Sequence, residues 1–210
     1  TPTLGVVSPS EVEYRNILNG IFGALKDSSA EVYIADDIGG TLGSYQATVN
    51  TRSYTKYASQ YPEMLQTILS ELENRYSRIM TGNDSELQNM PLIALVASSA
   101  DFVSSVSGDR KALETFKHLV GKYKSMRFCF ILTGIENARA PVMGTDVLKS
   151  VKENGVFVVA ENLQNLKVID VNPSVARQLK GERNENDIYF FANNDVQKVK
   201  LIHFAQPRTK

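Results

Sequence analysis

TPTLGVVSPSEVEYRNILNGIFGALK, residues 1–26, reads as a strand, a tight loop and a helix. A short apolar run ends at Ser8 and Pro9, after which Ile17, Ile21, Phe22 and Leu25 recur at helical spacing. The next stretch, EVYIADD (31–37), alternates and is rich in β-branched and aromatic residues, so a second strand is expected, ending in the three-glycine turn IGGTLGSY (38–45). YPEMLQTILSELENRYSRIM (61–80) keeps Met64, Leu65, Ile68, Leu72, Tyr76 and Ile79 on one face, with acidic residues early and Arg75 and Arg78 late, as the helix dipole favours.

Downstream the same alternation continues. TGNDSELQN (81–89) reads as a polar loop, and PLIALVA (91–97) as a strand buried on both faces. DRKALETFKHLVGKYKSM (109–126) reads as a helix, RFCFILTG (127–134) as another buried strand, and TDVLKSVKEN (145–154) as a helix stopped by Gly155. VFVVAE (156–161) and the segment around LKVIDV (166–171) add strands, and NDIYFFANNDVQKVKLIHF (186–204) reads as a hairpin turning at NND (193–195). The expected fold is α/β: a mainly parallel sheet flanked by helices in three layers, with a C-terminal antiparallel hairpin, forming one domain over residues 1–210.

Composition agrees with an ordinary globular domain, at 42% hydrophobic and 22% charged residues. A chain of 210 residues buries about 70% of its unfolded surface and needs no disulfide or metal to do so. The single cysteine, Cys129, lies in the apolar run RFCFIL, which fits a small buried hydrophobe in a reducing compartment. There is no apolar stretch of spanning length and no secretory leader. A chain that starts directly in a core strand reads as a segment of something longer. Basic and acidic residues balance at 23 each with pI near 6.7, so bulk charge gives no support to nucleic-acid binding.

In a parallel sheet the first strand-loop-helix is where a phosphate cradle belongs. The pattern G-x-x-x-x-G-K-[ST] curls backbone around phosphate, neutralises it with Lys and holds magnesium with a hydroxyl. GVVSPSEV carries Gly5 at the first glycine, Ser8 within the loop, Ser10 at the second glycine, Glu11 for the Lys and Val12 for the hydroxyl. Reversing the charge at Glu11 places like charges together, about 4 kcal/mol of repulsion at 4 Å and an effective dielectric of 20. A plain strand followed by an N-capping Ser explains the same residues. The companion motif, an apolar strand ending in carboxylates, is replaced by PLIALVASSADF, where Ala97 and Ser98 stand in the acidic positions and Asp101 comes late enough to be a cap or loop residue.

Other candidates are Asp36 and Asp37 after the second strand, either metal ligands or turn caps. Tyr33, Tyr45, Tyr54, Tyr57 and Tyr61 beside Arg52 and Lys56 could form a peptide-contact surface or simply pack. His118 and His203 have no metal-ligand spacing. No catalytic or metal-binding set emerges.

Taken in order, GVVSPSEVEYRNIL, EVYIADDIGGTLGSY, EMLQTILSELENRYSRI, PLIALVASSADF, RFCFILTG and NENDIYFFANNDVQKVKL resemble an FtsK/SpoIIIE-type ATPase domain, a P-loop NTPase fold. The likeness is to the degenerate C-terminal domain of the coupling ATPases of type VIIb secretion and covers nearly the whole chain. It implies that Thr133 occupies a sensor-like position, with Gly134 where a Gln is often found. It implies a cytoplasmic module of a bacterial membrane-anchored chain of tandem ATPase domains, engaging secreted protein substrates and neighbouring ATPase domains, in a family whose active members form hexamers. The departures at Ser10, Glu11, Val12, Ala97 and Ser98 imply a domain that does not hydrolyse ATP, with ATP and magnesium as cofactors only in a non-standard pose. Two other readings stand beside it: an active nucleotidase using Asp36 or Asp37 for metal and Arg52 or Lys56 for phosphate, and a DNA motor, which the neutral charge opposes.

Overall fold

A computed structural model describes residues 3–81, 84–137, 146–166, 169, 171–179, 183–192 and 195–207. Eight strands form one sheet in the order β3-β2-β4-β5-β1-β6-β7-β8. They are β1 (Thr3–Val7), β2 (Glu31–Ala35), β3 (Asn50–Thr55), β4 (Ile93–Ser98), β5 (Phe128–Thr133), β6 (Val156–Val159), β7 (Asp187–Ala192) and β8 (Asp195–Lys200). Pairings from β3 through β6 are parallel, and β6–β7 and β7–β8 are antiparallel. The mainly parallel sheet and the closing hairpin expected from the apolar runs are therefore present.

Helices cover both faces. On one side α1 (Glu11–Asp27) packs Leu18, Phe22 and Leu25 against Val32, Ile34, Ala94 and Val96. On the other, α2 (Tyr61–Met80), α4 (Ser99–Gly108), α5 (Arg110–Val120) and α6 (Asp146–Asn154) close over Tyr33, Leu95, Phe130 and Phe157. Strands buried on both faces explain why β4 and β5 are apolar without alternation. The centre of the second layer is aromatic: Phe102 lies 5.5 Å from Tyr61, 5.7 Å from Phe130 and 6.1 Å from Phe116, ring centre to ring centre.

Several elements differ from expectation for identifiable reasons. The residues of β3, NTRSYT, lack an apolar alternation because this strand forms a sheet edge and is largely solvated. The polar loop expected at 81–89 contains a short helix, α3 (Asp84–Asn89). Asp101 is not a loop residue but lies in the first turn of α4, whose serine-rich sequence hides the spacing of Phe102, Val103 and Val106. The helix expected over 109–126 starts after Asp109, its N-cap, and stops earlier, at Val120, where Gly121 caps it. A short helix, α7 (Pro173–Gln178), follows Asn172 as N-cap. Arg75, late in α2, does not face solvent. It is buried and donates to the Pro91 carbonyl at 2.7 Å. The turn residues Asn193 and Asn194, and Lys167, Val168 and Asp170 of the strand expected around LKVIDV, lie outside the described residues.

Sheet order decides where a site can form. β1 lies between β5 and β6, and β4 flanks β5, so the carboxyl ends of β1, β5 and β4 adjoin. The loops leaving these ends and that of β2 form the upper rim of the domain.

Candidate functional site

The connection from β1 to α1 is three residues long: Ser8, Pro9 and Ser10. Gly5 is not part of it. It sits inside β1, paired with Leu132 and Phe157. A Cβ there would fall 2.5 Å from the Phe157 ring and 2.8 Å from Ile135, so close packing explains this glycine. Ser10 is the N-cap of α1, its hydroxyl accepting from the Glu13 amide at 3.5 Å.

An internal carboxylate meets this loop. The buried Ser8 donates its backbone N–H to Glu136 Oε2 at 3.1 Å, from the turn following β5. Burial pushes the Glu136 carboxyl up, partly offset by backbone donors including Ser8. Above the loop a cleft of about 530 Å³ is bounded by Pro9, Glu11, Tyr14, Arg15 and the 39–44 turn. Among the described residues its one lining cation is Arg15, paired with Glu11 at 2.8 Å on the helix surface. Val12 is 77% exposed.

The next two residues of α1 are also committed. Glu13 is buried and receives a bidentate bond from Arg183, at 2.6 and 2.7 Å, while Arg183 also donates to the Asp187 carbonyl at 2.6 Å. The Tyr14 hydroxyl donates to Thr133 Oγ1 at 2.9 Å, and Thr133 donates to the Ala97 carbonyl at 3.2 Å. Burial raises the Tyr14 hydroxyl well above its ordinary range. Thr133 thus bridges α1 to the end of β4.

At that end, Ala97 and Ser98 are buried, and Ser98 donates to Asp37 Oδ2 at 2.5 Å. Ser99 donates to the Gly134 carbonyl. A carboxylate therefore does reach the end of β4, supplied by the loop after β2. Asp37 Oδ1 also accepts from the Gly39 amide at 2.8 Å. Asp36 is fully buried and accepts from the Asp37 amide at 2.9 Å, the Leu42 amide at 3.0 Å and the Tyr54 hydroxyl at 3.1 Å. It organises the turn. Desolvation still raises its carboxyl above the usual range.

Of the remaining candidates, Tyr33, Arg52 and Tyr54 line one cleft of about 660 Å³ between β3 and α2, and the others lie apart from it. Tyr45 stacks on Phe22 on the α1 face, Tyr61 donates to the Asp36 carbonyl within the other layer, and Tyr57 is exposed, so the five tyrosines form no common surface. Arg52 pairs with Glu31, and Lys56 lies 5.8 Å from the Tyr57 ring centre. His118 is exposed on α5, and His203 lies beyond β8 rather than in a strand. Cys129 is half-buried, and burial pushes its thiol up to about 12. No three His, Cys, Asp or Glu residues are grouped to hold a metal among the described residues. The contacts that sequence reading missed are Glu136, Arg183 and Tyr14, none of which carries a local signal.

Glu136 has a pH consequence. A carboxyl whose folded pKa is raised adds stability at low pH that is lost as pH rises through the folded value. Glu136→Gln should therefore be more stable than the unmodified chain towards neutral pH and equal or less so in acid, measured by urea unfolding across pH. Parallel curves would remove the inference.

This arrangement is similar to the fold of the P-loop NTPases. Its neighbours among solved structures include ATPase domains of type VII secretion. Over 97% of its length the chain superposes on EssC (ATPases 2 and 3) from Geobacillus thermodenitrificans with TM-score 0.65 and 14% identity, spanning 39% of that chain. Over 96% it matches Thermomonospora curvata EccC (ATPases 2 and 3) in complex with a signal sequence peptide, with TM-score 0.63 and 14% identity, spanning 37% of that chain. The pCW3 conjugation coupling protein TcpA with ATPγS matches over 97% with TM-score 0.66 and 12% identity, spanning 61% of that chain. The chain thus covers well under half the length of the secretion ATPase structures it matches. No protein-family model and no curated protein matches the sequence. No helix among the described residues is long and apolar enough to cross a membrane.

Proposed function

We propose that the chain is a non-hydrolysing, ATPase-like domain of a type VII secretion coupling protein, a pseudo-ATPase with degenerate Walker motifs. It works on the cytoplasmic side of the bacterial cell membrane as the soluble part of a membrane-anchored chain. It engages secreted protein substrates, regulates neighbouring ATPase domains of the same chain, and joins a hexamer in the full-length protein; it does not use nucleic acid. One observation carries the reading: the Ser8 N–H, at the loop where a phosphate would be cradled, is held by the chain's own Glu136 carboxylate. A hydrogen bond to a charged group is worth about 1.5–3 kcal/mol, and a polyphosphate would have to break it while meeting Glu11 and Glu136. The fold shared with EccC in complex with a signal sequence peptide supports a substrate-engaging role. Calorimetric titration with Mg-ATP tests it: no binding at millimolar nucleotide is expected, whereas micromolar affinity with turnover would reject it.

A second reading, an active nucleotidase, draws on Asp37 reaching the end of β4 through Ser98. In that case Asp37→Asn would abolish a measurable ATPase rate. With the pseudo-ATPase reading, the unmodified chain and Asp37→Asn both run at the buffer background.

A further inference from the structure

The sheet ends at β3 on one side and at β8 on the other, and the two edges are finished differently. Leu201 donates its N–H to the Asn186 carbonyl, so the alternation along β8 turns the main chain of Lys198 and Lys200 outward. Lysines on a free edge discourage further pairing. At β3 the Thr55 carbonyl accepts from the Asp36 amide at 2.8 Å, so Thr55 and Ser53 face β2 while Tyr54 turns its N–H and C=O away from the sheet. Among the described residues β3 pairs with β2 alone, and its sequence NTRSYT holds neither lysine nor proline.

The cleft of about 660 Å³ lies along this edge, with Tyr33 and its register partner Ser53 on the sheet side and α2 as the facing wall. Glu63, Thr67 and Glu71 stand four apart on α2 and line the cleft as one row. At a rise of 1.5 Å per residue, Glu63 and Glu71 are about 12 Å apart along the helix. Residues four apart in a strand are about 13 Å apart, so a strand laid on the edge keeps step with this row. Glu63 is exposed and has no ion pair among the described residues. Glu71 accepts from Arg75 yet keeps 45% of its side chain exposed. The lining cation, Arg52, is held by Glu31.

We propose that the β3 edge takes an extended segment of another protein as a ninth strand, chosen by two basic side chains four residues apart that meet Glu63 and Glu71. A small polar residue midway would face Thr67. Main-chain bonds to Tyr54 supply attachment, and the helix row supplies the choice of sequence. Charge selects a basic occupant, because Glu31, Glu63 and Glu71 line the cleft against Arg52. The cleft shares no lining residue with the one above the Ser8 loop, so the edge serves whether or not nucleotide binds there.

The test uses the intact chain and the fluorescent peptide TKVTVKT, whose lysines are four apart, followed by anisotropy. Saturable binding is expected. It should weaken about tenfold or more for Glu63→Lys, checked for folding by circular dichroism, and for TKVKVTT, which has the same composition with lysines two apart. Amide hydrogen exchange separates strand addition from loose charge attraction: exchange at the Tyr54 N–H should slow with TKVTVKT and stay unchanged at the same concentration of TKVKVTT. Should Glu63→Lys fail to fold, this exchange comparison on the unmodified chain decides. Absence of saturable binding at millimolar peptide overturns the proposal, as does equal binding of the two peptides or an unchanged Tyr54 amide in the bound chain. Protection of Tyr54 that grows with protein concentration in the absence of peptide assigns the edge to a second copy and also overturns it.

Discussion

Arg183→Ala is expected to destabilise the chain by about 3–5 kcal/mol, because it leaves the carboxylate of Glu13 buried without its cation. The Asp187 carbonyl loses its 2.6 Å donor in the same step. Arg183→Lys should recover only part of the loss, since an ammonium cannot reproduce the two-pronged contact. The surface pair Arg15–Glu11 is the control: breaking it should cost about 0.3–0.5 kcal/mol. Urea unfolding of the four chains measures all three differences. A cost below about 1 kcal/mol for Arg183→Ala would mean that Glu13 finds water or another partner. The effect matters because this clamp ties the first turn of α1 to the hairpin, ordering a helix end that in a nucleotide-binding protein would be held by the ligand.

Asp36→Ala is expected to cost about 3 kcal/mol or more. Three donors, the amides of Asp37 and Leu42 and the Tyr54 hydroxyl, would lose their acceptor, and each unsatisfied buried group costs about 1–3 kcal/mol. Asp36→Asn keeps the shape and an acceptor oxygen while removing the desolvation that raises the carboxyl, so it should be much milder. If Asp36→Ala and Asp37→Ala were equally mild in thermal unfolding, the turn would not depend on Asp36. The same contrast explains why Asp37, and not Asp36, is the informative position for testing catalysis.

The layers of the fold were legible because burial writes itself into local pattern. β4 and β5 are unbroken apolar runs, and α2 carries its stripe along the full span from Tyr61 to Met80. What escaped reading was set by distant partners. Gly5 fits a loop template by spacing, yet the residue that requires a glycine there is Phe157, far along the chain. Glu136 meets Ser8 across 128 positions, and Arg183 meets Glu13 across 170. Arg183 lies in KGERNEND, a charged stretch that reads as solvated surface. β3 carries no readable pattern because, at the sheet edge, only Thr55 of its six residues is buried and the others are partly or fully exposed. The candidate loop was located from the first strand-loop-helix, whereas the carboxylate that meets it comes from the turn after β5 and the cation that holds the first turn of α1 from the approach to β7.

The most direct measurement follows the backbone amide resonance of Ser8 by NMR. As pH is lowered it should move with the protonation of Glu136, and this response should vanish in Glu136→Gln. Addition of Mg-ATP to millimolar concentration should leave it in place. A Ser8 amide indifferent to Glu136 that instead shifts and saturates with added nucleotide would contradict the reading of this loop as a cradle closed by the chain's own carboxylate.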